Sequence, residues 1–141
     1  MTTAAEIVAG LLEELGASRV TLRRDVPGAS AFPVVEEALA PGTGSLRGET
    51  TVHLPTQPVV LAIQAGRQVV QDDCRSAYDD AAFQQMLDTY GGLAAQIVTP
   101  VRVAGRLAAI LSVHQLGTPR SWTPEEIDAA SRAAAHIGEL S

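Results

Sequence analysis

Two apolar segments separated by a tight turn constrain the fold of this chain more than any other feature. Residues 94–103 and 106–114 are mostly apolar, and Ala104-Gly105 lies between them. A two-residue connection that contains glycine is typical of a β-hairpin. The sequence therefore predicts a long antiparallel strand pair, whose faces other elements must cover.

The register of this hairpin predicts which side chains share a face. If Val103 lies opposite Arg106 and the pairing is regular, directly opposed residues lie on the same side of the sheet. One face then mixes polar and apolar side chains: Ala95, Ile97, Thr99, Ile110, Ser112 and His114. The other is uniformly apolar: Val98, Leu107, Ala109, Leu111 and Val113. We expect the uniformly apolar face to pack against helices.

Both ends of the chain carry helix signals. Thr3 and Glu6 have the spacing of a capping box, and the apolar residues that follow predict a helix over residues 4–15. Thr123, Pro124 and Glu126 form a similar start for a last, alanine-rich helix. The first helix has more apolar residues than one face usually buries. We therefore expect a homodimer through these two helices, with the following residues at its interface: Ile7, Leu11, Leu15, Ile127 and Ala134.

The middle of the chain is less regular. Residues 18–24 alternate like a half-buried strand, 32–40 are a strand candidate weakened by two glutamates, and 41–57 have the composition of a long loop. A short helix from Pro58, a strand within 67–73 and a helix capped by Asp79-Asp80 complete the order. The order predicts a single α+β domain over residues 1–141, in which terminal helices flank an antiparallel sheet.

Composition and charge exclude several classes of function. The net charge of −6 argues against binding to nucleic acid or to an anionic membrane surface. The chain has no lysine, which removes Schiff-base chemistry and a P-loop lysine. Cys74 is the single cysteine, so an intrachain disulfide is impossible. Neither a signal peptide nor a membrane-spanning apolar stretch is evident, and we expect a cytoplasmic protein.

Several short motifs in this order resemble those of GAF domains. "TPVRVAGRLAAILSVHQ" and "PRSWTPEEI" are similar to the family's hairpin and the start of its last helix, while "QVVQDD" and "ELGASRVTL" are similar to earlier passages. The resemblance covers about residues 5–138. It implies a GAF/PAS-like fold: a central antiparallel β-sheet with the N- and C-terminal helices on one face and a ligand cavity on the other. It also implies dimerisation through those helices.

Marks of the pigment- and nucleotide-binding GAF subfamilies are missing. The cyclic-nucleotide signature requires a lysine, which the chain lacks. Asp72-Asp73-Cys74-Arg75 superficially resembles a bilin-attachment motif, but arginine replaces its phenylalanine and no Cys-His pair is present. None of the histidines, which are His53, His114 and His136, has a recognisable haem context. We therefore predict no cofactor.

The enzymatic GAF proteins, the free methionine sulfoxide reductases, also differ from this chain. Their chemistry needs an attacking and a resolving thiol, and this chain has one cysteine. Gln96, Ser112 and His114 stand where the family has its substrate-binding acids. We predict that the protein is not an enzyme. A reductase-like activity is the least favoured of the alternatives.

The resemblance puts the mixed face of the hairpin at the cavity. The candidate ligand-binding residues are His114, Ser112, Thr99, Ile97 and Ile110, together with the aromatic residues Tyr78 and Phe83. We expect His114 to be a hydrogen-bonding group without a catalytic role, because no partner nucleophile is evident. We predict no metal site in the acidic loop, and we expect Cys74 to be exposed and replaceable by serine there.

The predicted function is that of a non-enzymatic sensory module. It would bind an unidentified small molecule and act as a homodimer or through a signalling partner protein. The alternative is a ligand-free dimerisation module with a degenerate pocket. Stabilisation by a ligand would separate the two hypotheses.

Overall fold

A computed structural model describes residues 2–25, 32–48 and 57–141. Its helices are α1 (Ala4–Leu15), α2 (Pro58–Gln64), α3 (Ala81–Thr89) and α4 (Pro124–Glu139), and one 3-10 turn spans Cys74–Ser76. Its strands are β1 (Arg19–Arg24), β2 (Val34–Leu39), β3 (Val69–Gln71), β4 (Leu93–Val103) and β5 (Arg106–Leu116). Among the described residues, the strands form one antiparallel sheet in the order β2-β1-β5-β4-β3. The predicted α+β architecture is confirmed.

Helices α1 and α4 cover one face of the sheet. Both begin at the predicted capping boxes, where the side chains of Thr3 and Thr123 accept backbone hydrogen bonds. Their apolar residues join those of β1, β4 and β5 in one buried cluster, which includes Val8, Leu11, Leu15, Val20, Leu22, Ile97, Leu111, Val113, Ala130, Ala134 and Ile137. The alanines of α4 allow close approach to the sheet, which explains how a helix with few large side chains packs well. None of the helices in the described ranges is long and apolar enough to cross a bilayer.

Several predicted dimer residues belong to this internal core. Leu11, Leu15 and Ala134 are buried within the single chain, which corrects the expectation that they form an intermolecular surface. They pack in the cluster that α1 and α4 form with the sheet, so they leave little apolar surface for a partner, although Leu11 also borders a groove between the two helices. Ile7 and Ile127 are half-buried and keep some surface for a partner.

One extra residue in β5 changes the faces of the hairpin. Val103 pairs with Arg106 as a regular register predicts, but Val101 pairs with Ala109, so Ala108 is an insertion in the ladder. Such a β-bulge shifts the pairing beyond it by one residue. Because side chains alternate along a strand, the shift moves the rest of β4 to the opposite face relative to β5.

The bulge corrects half of the predicted cavity face. Ile97 and Thr99 pair with Val113 and Leu111, and they lie on the face that packs against α1 and α4. Thr99 Oγ1 accepts a 3.0 Å hydrogen bond from Gln68 Nε2, which also donates to α4. Gln96 and Val98 lie beside the cavity in place of Ile97 and Thr99. Leu107, which precedes the bulge, also faces the cavity.

Candidate functional site

A cavity of about 360 Å³ lies on the face of the sheet opposite α1 and α4. Its floor is formed by β1, β4 and β5, and residues of α2 and α3 close over it. The apolar part of the wall consists of Phe32, Val59, Val60, Ile63, Phe83, Met86, Val98, Leu107 and Ile110. The polar part on the sheet consists of Thr21, Arg23, Gln96, Ser112 and His114. An apolar enclosure with a few converging polar groups has the character of a small-molecule site.

The polar groups form a continuous row because of strand pairing. Thr21 lies opposite Ser112 on β5, and Ser112 lies beside His114 on the same face, two residues along the strand. Gln96 of β4 lies opposite His114 from the other side. All four side chains are buried. Three adjacent strands therefore present polar atoms to one patch of the cavity floor.

His114 is held from the side by a buried arginine. Arg19 Nε donates a 3.0 Å hydrogen bond to Nδ1 of His114, and the two residues are direct partners across β1 and β5. The His114 ring also stacks on Tyr90, with 5.8 Å between the ring centroids. Since Nδ1 accepts a hydrogen bond, the proton of the neutral ring is on Nε2. The histidine therefore offers an N–H donor.

The environment keeps this histidine neutral. Burial, reinforced by the positive charges of Arg19 and Arg23, lowers the pKa of His114 well below its ordinary value. A protonated ring would also direct an Nδ1–H group against the Arg19 Nε–H group. The neutral donor form is thus favoured by solvation, charge and geometry together.

Arg23 brings a cation to the same cavity. Its guanidinium donates to the Phe32 carbonyl at 3.1 Å and to the Tyr90 hydroxyl at 3.2 Å. It also lies over the Tyr90 ring, 5.9 Å from the centroid. Gln96 is oriented by a 2.8 Å bond from its Nε2 to Gln71 Oε1. These bonds fix where the polar groups point in the cavity wall.

The structure separates the predicted ligand residues into two groups. His114, Ser112, Ile110 and Phe83 line the cavity. Ile97 and Thr99 do not, because of the bulge described above. Tyr78 is not part of the cavity wall; its ring packs edge-on against Phe83 at 5.0 Å between centroids. Tyr78 is therefore placed to support a wall residue rather than to contact a ligand. His53 lies outside the described residues.

Four wall or supporting residues are absent from the predicted ligand-binding set: Arg19, Thr21, Arg23 and Gln96, of which only Gln96 was noted, as the replacement of a family acid. The pattern of residues 18–24 predicts a half-buried strand and no site residue. In the structure β1 lies between β2 and β5, and both of its faces are covered, so Arg19 and Thr21 are each 1% exposed. The alternation of Arg19, Thr21 and Arg23 was the available signal. In a strand that has neighbours on both sides and is covered on both faces, that alternation becomes an internal polar row.

Cys74 is buried, and the expectation that it is exposed is wrong. It is 0% exposed and packs in a cluster with Leu46, Phe83, Leu87, Tyr90 and Leu93. Burial, together with the charge of Asp73, raises the pKa of the thiol to about 12. The sulfur is therefore a protonated core group at neutral pH and not a nucleophile.

The comparison with known proteins identifies the family. A model of the GAF domain matches residues 2–139. The chain belongs to the GAF domain family. A relative of this GAF domain is the circadian input-output histidine kinase CikA of Thermosynechococcus vestitus, 24% identical over 75 residues. That match covers 53% of the chain and 10% of the kinase, so the chain spans a small part of the kinase's length.

Solved GAF domains share the architecture across nearly the whole chain. The cyanobacteriochrome receptor PixJ is 25% identical with a TM-score of 0.82, covering 96% of this chain and 90% of its own. The blue-light-absorbing form of the Thermosynechococcus elongatus PixJ GAF domain is 25% identical with a TM-score of 0.79. The match covers 96% of this chain and 83% of the PixJ chain. JSC1_58120g3, solved with bound biliverdin IXa, has a TM-score of 0.82 at 17% identity, covering 99% of this chain and 89% of its own, and shows the fold alone.

The thiol of this GAF domain does not fit covalent attachment of a bilin. A thioether requires a sulfur that reaches the ligand, and Cys74 lies inside an apolar cluster and not in the cavity wall. Its raised pKa also removes the thiolate that attacks an electrophilic carbon.

Proposed function

We propose that this GAF domain is a sensory module that binds a small organic molecule non-covalently in the sheet-side cavity. The observation that carries the proposal is the buried polar row in an apolar enclosure. Within the described ranges, the Thr21 hydroxyl, the Ser112 hydroxyl and His114 Nε2 make no hydrogen bond to protein. A buried polar group without a partner costs about 1–3 kcal/mol. A bound molecule or ordered water would remove that cost.

The cavity favours an amphipathic ligand of defined polarity. Val59, Ile63 and Met86 line its apolar side and would contact an apolar or aromatic body. His114 offers a donor, and the nearby Arg23 favours a carbonyl or carboxylate oxygen at the same end. The role is one of binding: the lone pair of His114 Nδ1 is occupied by Arg19, and no described serine or threonine hydroxyl of the wall is hydrogen-bonded to this histidine for activation.

The output is proposed to pass through α1 and α4, as a homodimer or through a signalling partner. A groove between the two helices, lined by Ile7, Ala133 and His136 among others, supports this proposal. The likeness to a segment of a histidine kinase supports a role in signalling. Ala133→Glu should then give a monomer by light scattering, while the matched change Ala82→Glu on exposed α3 should leave a dimer intact. A monomeric wild-type protein would contradict the homodimer.

Ligand binding can be tested with compounds of the stated chemistry. Aromatic and aliphatic amphipathic carboxylates and amides would be screened by thermal shift, and a true ligand would raise the Tm with concentration. His114→Asn keeps an acceptor for Arg19 but removes the Nε2–H donor. It should weaken the Kd about 10-fold, equivalent to about 1.4 kcal/mol. Glu13→Gln, at an exposed position of α1 outside the cavity wall, is the control and should bind like wild type.

Failure of every compound to raise the Tm would favour the ligand-free dimerisation module. Equal affinity of wild type and His114→Asn would remove His114 from the site. The proposal of a donor-lined cavity would then be wrong in its central residue.

A linear tetrapyrrole held without a thioether is the second candidate. It is favoured by the likeness to PixJ and by the biliverdin that JSC1_58120g3 binds. Purified protein incubated with biliverdin and freed of excess pigment should then show visible absorbance that denaturation removes. Absence of pigment would reject this candidate. Pigment that stays on the denatured chain would contradict the buried state of Cys74.

A further inference from the structure

We propose that Arg19 is a positioning residue that holds His114 as an Nε2–H donor for the cavity. The inference rests on the proposed function for its purpose, because the donor matters only if the cavity takes a ligand. The effect of Arg19 on the tautomer of His114 does not depend on any ligand. Arg19 itself is not in the cavity wall, so it would act through His114.

The side chains of Arg19 and His114 are in direct contact. Arg19 Nε lies 3.0 Å from His114 Nδ1, and arginine can only donate. The bond therefore determines which ring nitrogen lacks the proton. Nε2 is left for a cavity ligand, and in the described residues it makes no hydrogen bond to protein. The preference of the ring for one tautomer follows from a single contact.

The Arg19 side chain is also held rigidly. Its Nη1 donates to the Gly44 carbonyl at 3.0 Å, and its Nη2 donates to the Tyr90 carbonyl at 2.8 Å. The guanidinium is thus held at three points and is 1% exposed. The planar guanidinium loses little further entropy when it makes the His114 bond. An arginine fixed in this way can impose an orientation on the imidazole.

Arg19 is also a buried cation, which is unusual in a protein core. No described carboxylate forms an ion pair with Arg19, and burial lowers the pKa of its guanidinium, although Glu37 opposes the shift. Burying a cation without a carboxylate is costly, and an apolar residue would fill the space at lower cost. The contacts that Arg19 makes are to backbone carbonyls and to His114. Among the described residues, His114 is the side chain that receives a hydrogen bond from this anchored guanidinium.

The test is nitrogen-15 NMR of the histidine ring in protein without added ligand. In wild type, long-range imidazole correlations should show His114 as the Nε2–H tautomer, unchanged between pH 8 and pH 6. In Arg19→Met, which keeps the length of the side chain without donors, His114 should become a mixture of tautomers. Arg19→Lys should recover the wild-type tautomer only in part, because one flexible ammonium replaces the planar fork.

The matched control is Arg23→Met on the same face of β1. It removes a neighbouring positive charge but not the bond to Nδ1, so His114 should keep the Nε2–H tautomer. A wild-type spectrum with the proton on Nδ1 overturns the proposal, even if Arg19→Met fails to fold. So does an Arg19→Met spectrum identical to wild type. If the tautomers are as expected but no compound binds the wild-type cavity, the proposed function is contradicted and the role of Arg19 stands.

Discussion

Ile97 of β4 lies directly opposite Val113 of β5, and both side chains are fully buried on the face covered by α1 and α4. Two residues before Val113, Leu111 lies on the same face, whereas Ile110 and Ser112 point to the cavity. Along each strand of the hairpin, alternate side chains thus point into the packed core and into the cavity.

This separation predicts unequal costs for two similar truncations. Ile97→Ala removes a side chain from the close-packed core and should lower the free energy of unfolding by about 3 kcal/mol. Ile110→Ala removes a half-buried side chain from a wall that already borders a cavity, and we expect a loss of about 1 kcal/mol. Urea denaturation of both variants measures the difference. Equal losses would contradict the assignment of the two faces.

Stability should fall as pH drops below about 6.5. The folded state keeps His114 neutral, because burial beside Arg19 and Arg23 lowers its pKa, whereas an unfolded histidine takes up a proton near pH 6.5. Below about pH 6.5 the unfolded state therefore binds more protons than the folded state. The free energy of unfolding is lowered by His114 in that range and is unaffected by its titration above it. Between pH 6 and pH 5 the expected loss is about 1 kcal/mol.

Comparison with His114→Asn isolates this pH effect. Asparagine keeps an acceptor for Arg19 and does not titrate, so its stability curve should be flatter by the same amount. Urea midpoints at pH 7.5, 6.0 and 5.0 provide the measurement. Parallel curves for wild type and His114→Asn would mean that His114 titrates normally in the folded protein.

Cys74 should resist thiol reagents in the native state. Its sulfur is inaccessible, and burial with the nearby Asp73 raises the thiol pKa to about 12. A disulfide reagent at pH 8 should label it only after denaturation. Ser76→Cys in a Cys74→Ala background offers an exposed thiol two residues away, which should react at once. Equally fast labelling of wild type would show that the cluster opens readily.

The same burial reverses the expectation for Cys74→Ser. A serine hydroxyl among Leu46, Phe83 and Leu87 would lack a partner and should cost about 1–3 kcal/mol. Denaturation of the variant, compared with wild type under reducing conditions, tests this value. A neutral effect would restore the exposed placement that the sequence suggested.

Arg120 should stabilise the chain far more than other surface arginines. It donates to the Leu15 carbonyl at the end of α1 and to the Glu126 carboxylate at the start of α4, and it stacks over Trp122 at 4.5 Å. Arg120→Ala should cost about 2 kcal/mol, since bonds to charged groups and a cation–π contact are lost together.

Arg132 offers a matched comparison for Arg120. Its ion pair with Asp128 joins two exposed side chains one turn apart on α4. Arg132→Ala should therefore change stability by less than about 0.5 kcal/mol. Thermal denaturation of both variants distinguishes the two sites. Equal shifts in Tm would mean that Arg120 does not join α1 to α4.

The elements of this fold could be predicted because their signals are local. The capping residues Thr3 and Thr123, the turn at Ala104-Gly105 and the spacing of apolar residues act over one or two turns of backbone. Side-chain hydrogen bonds and backbone conformation at those positions need no distant partner. The order of elements, the hairpin and the family resemblance all followed from them.

The composition of the cavity was decided only by tertiary structure. One inserted residue, Ala108, exchanged Ile97 and Thr99 for Gln96 and Val98, and no local signal in the strand announces a bulge. Strand order placed β1 inside the sheet, between β2 and β5, which made Arg19 an internal partner of His114. Cys74 became a core residue because α3 and β4 fold over a loop that is acidic in sequence. Register, strand order and burial depend on residues far apart in the chain. Local signals therefore determine the helices and strands, whereas the composition of the site is determined by how these elements pack together.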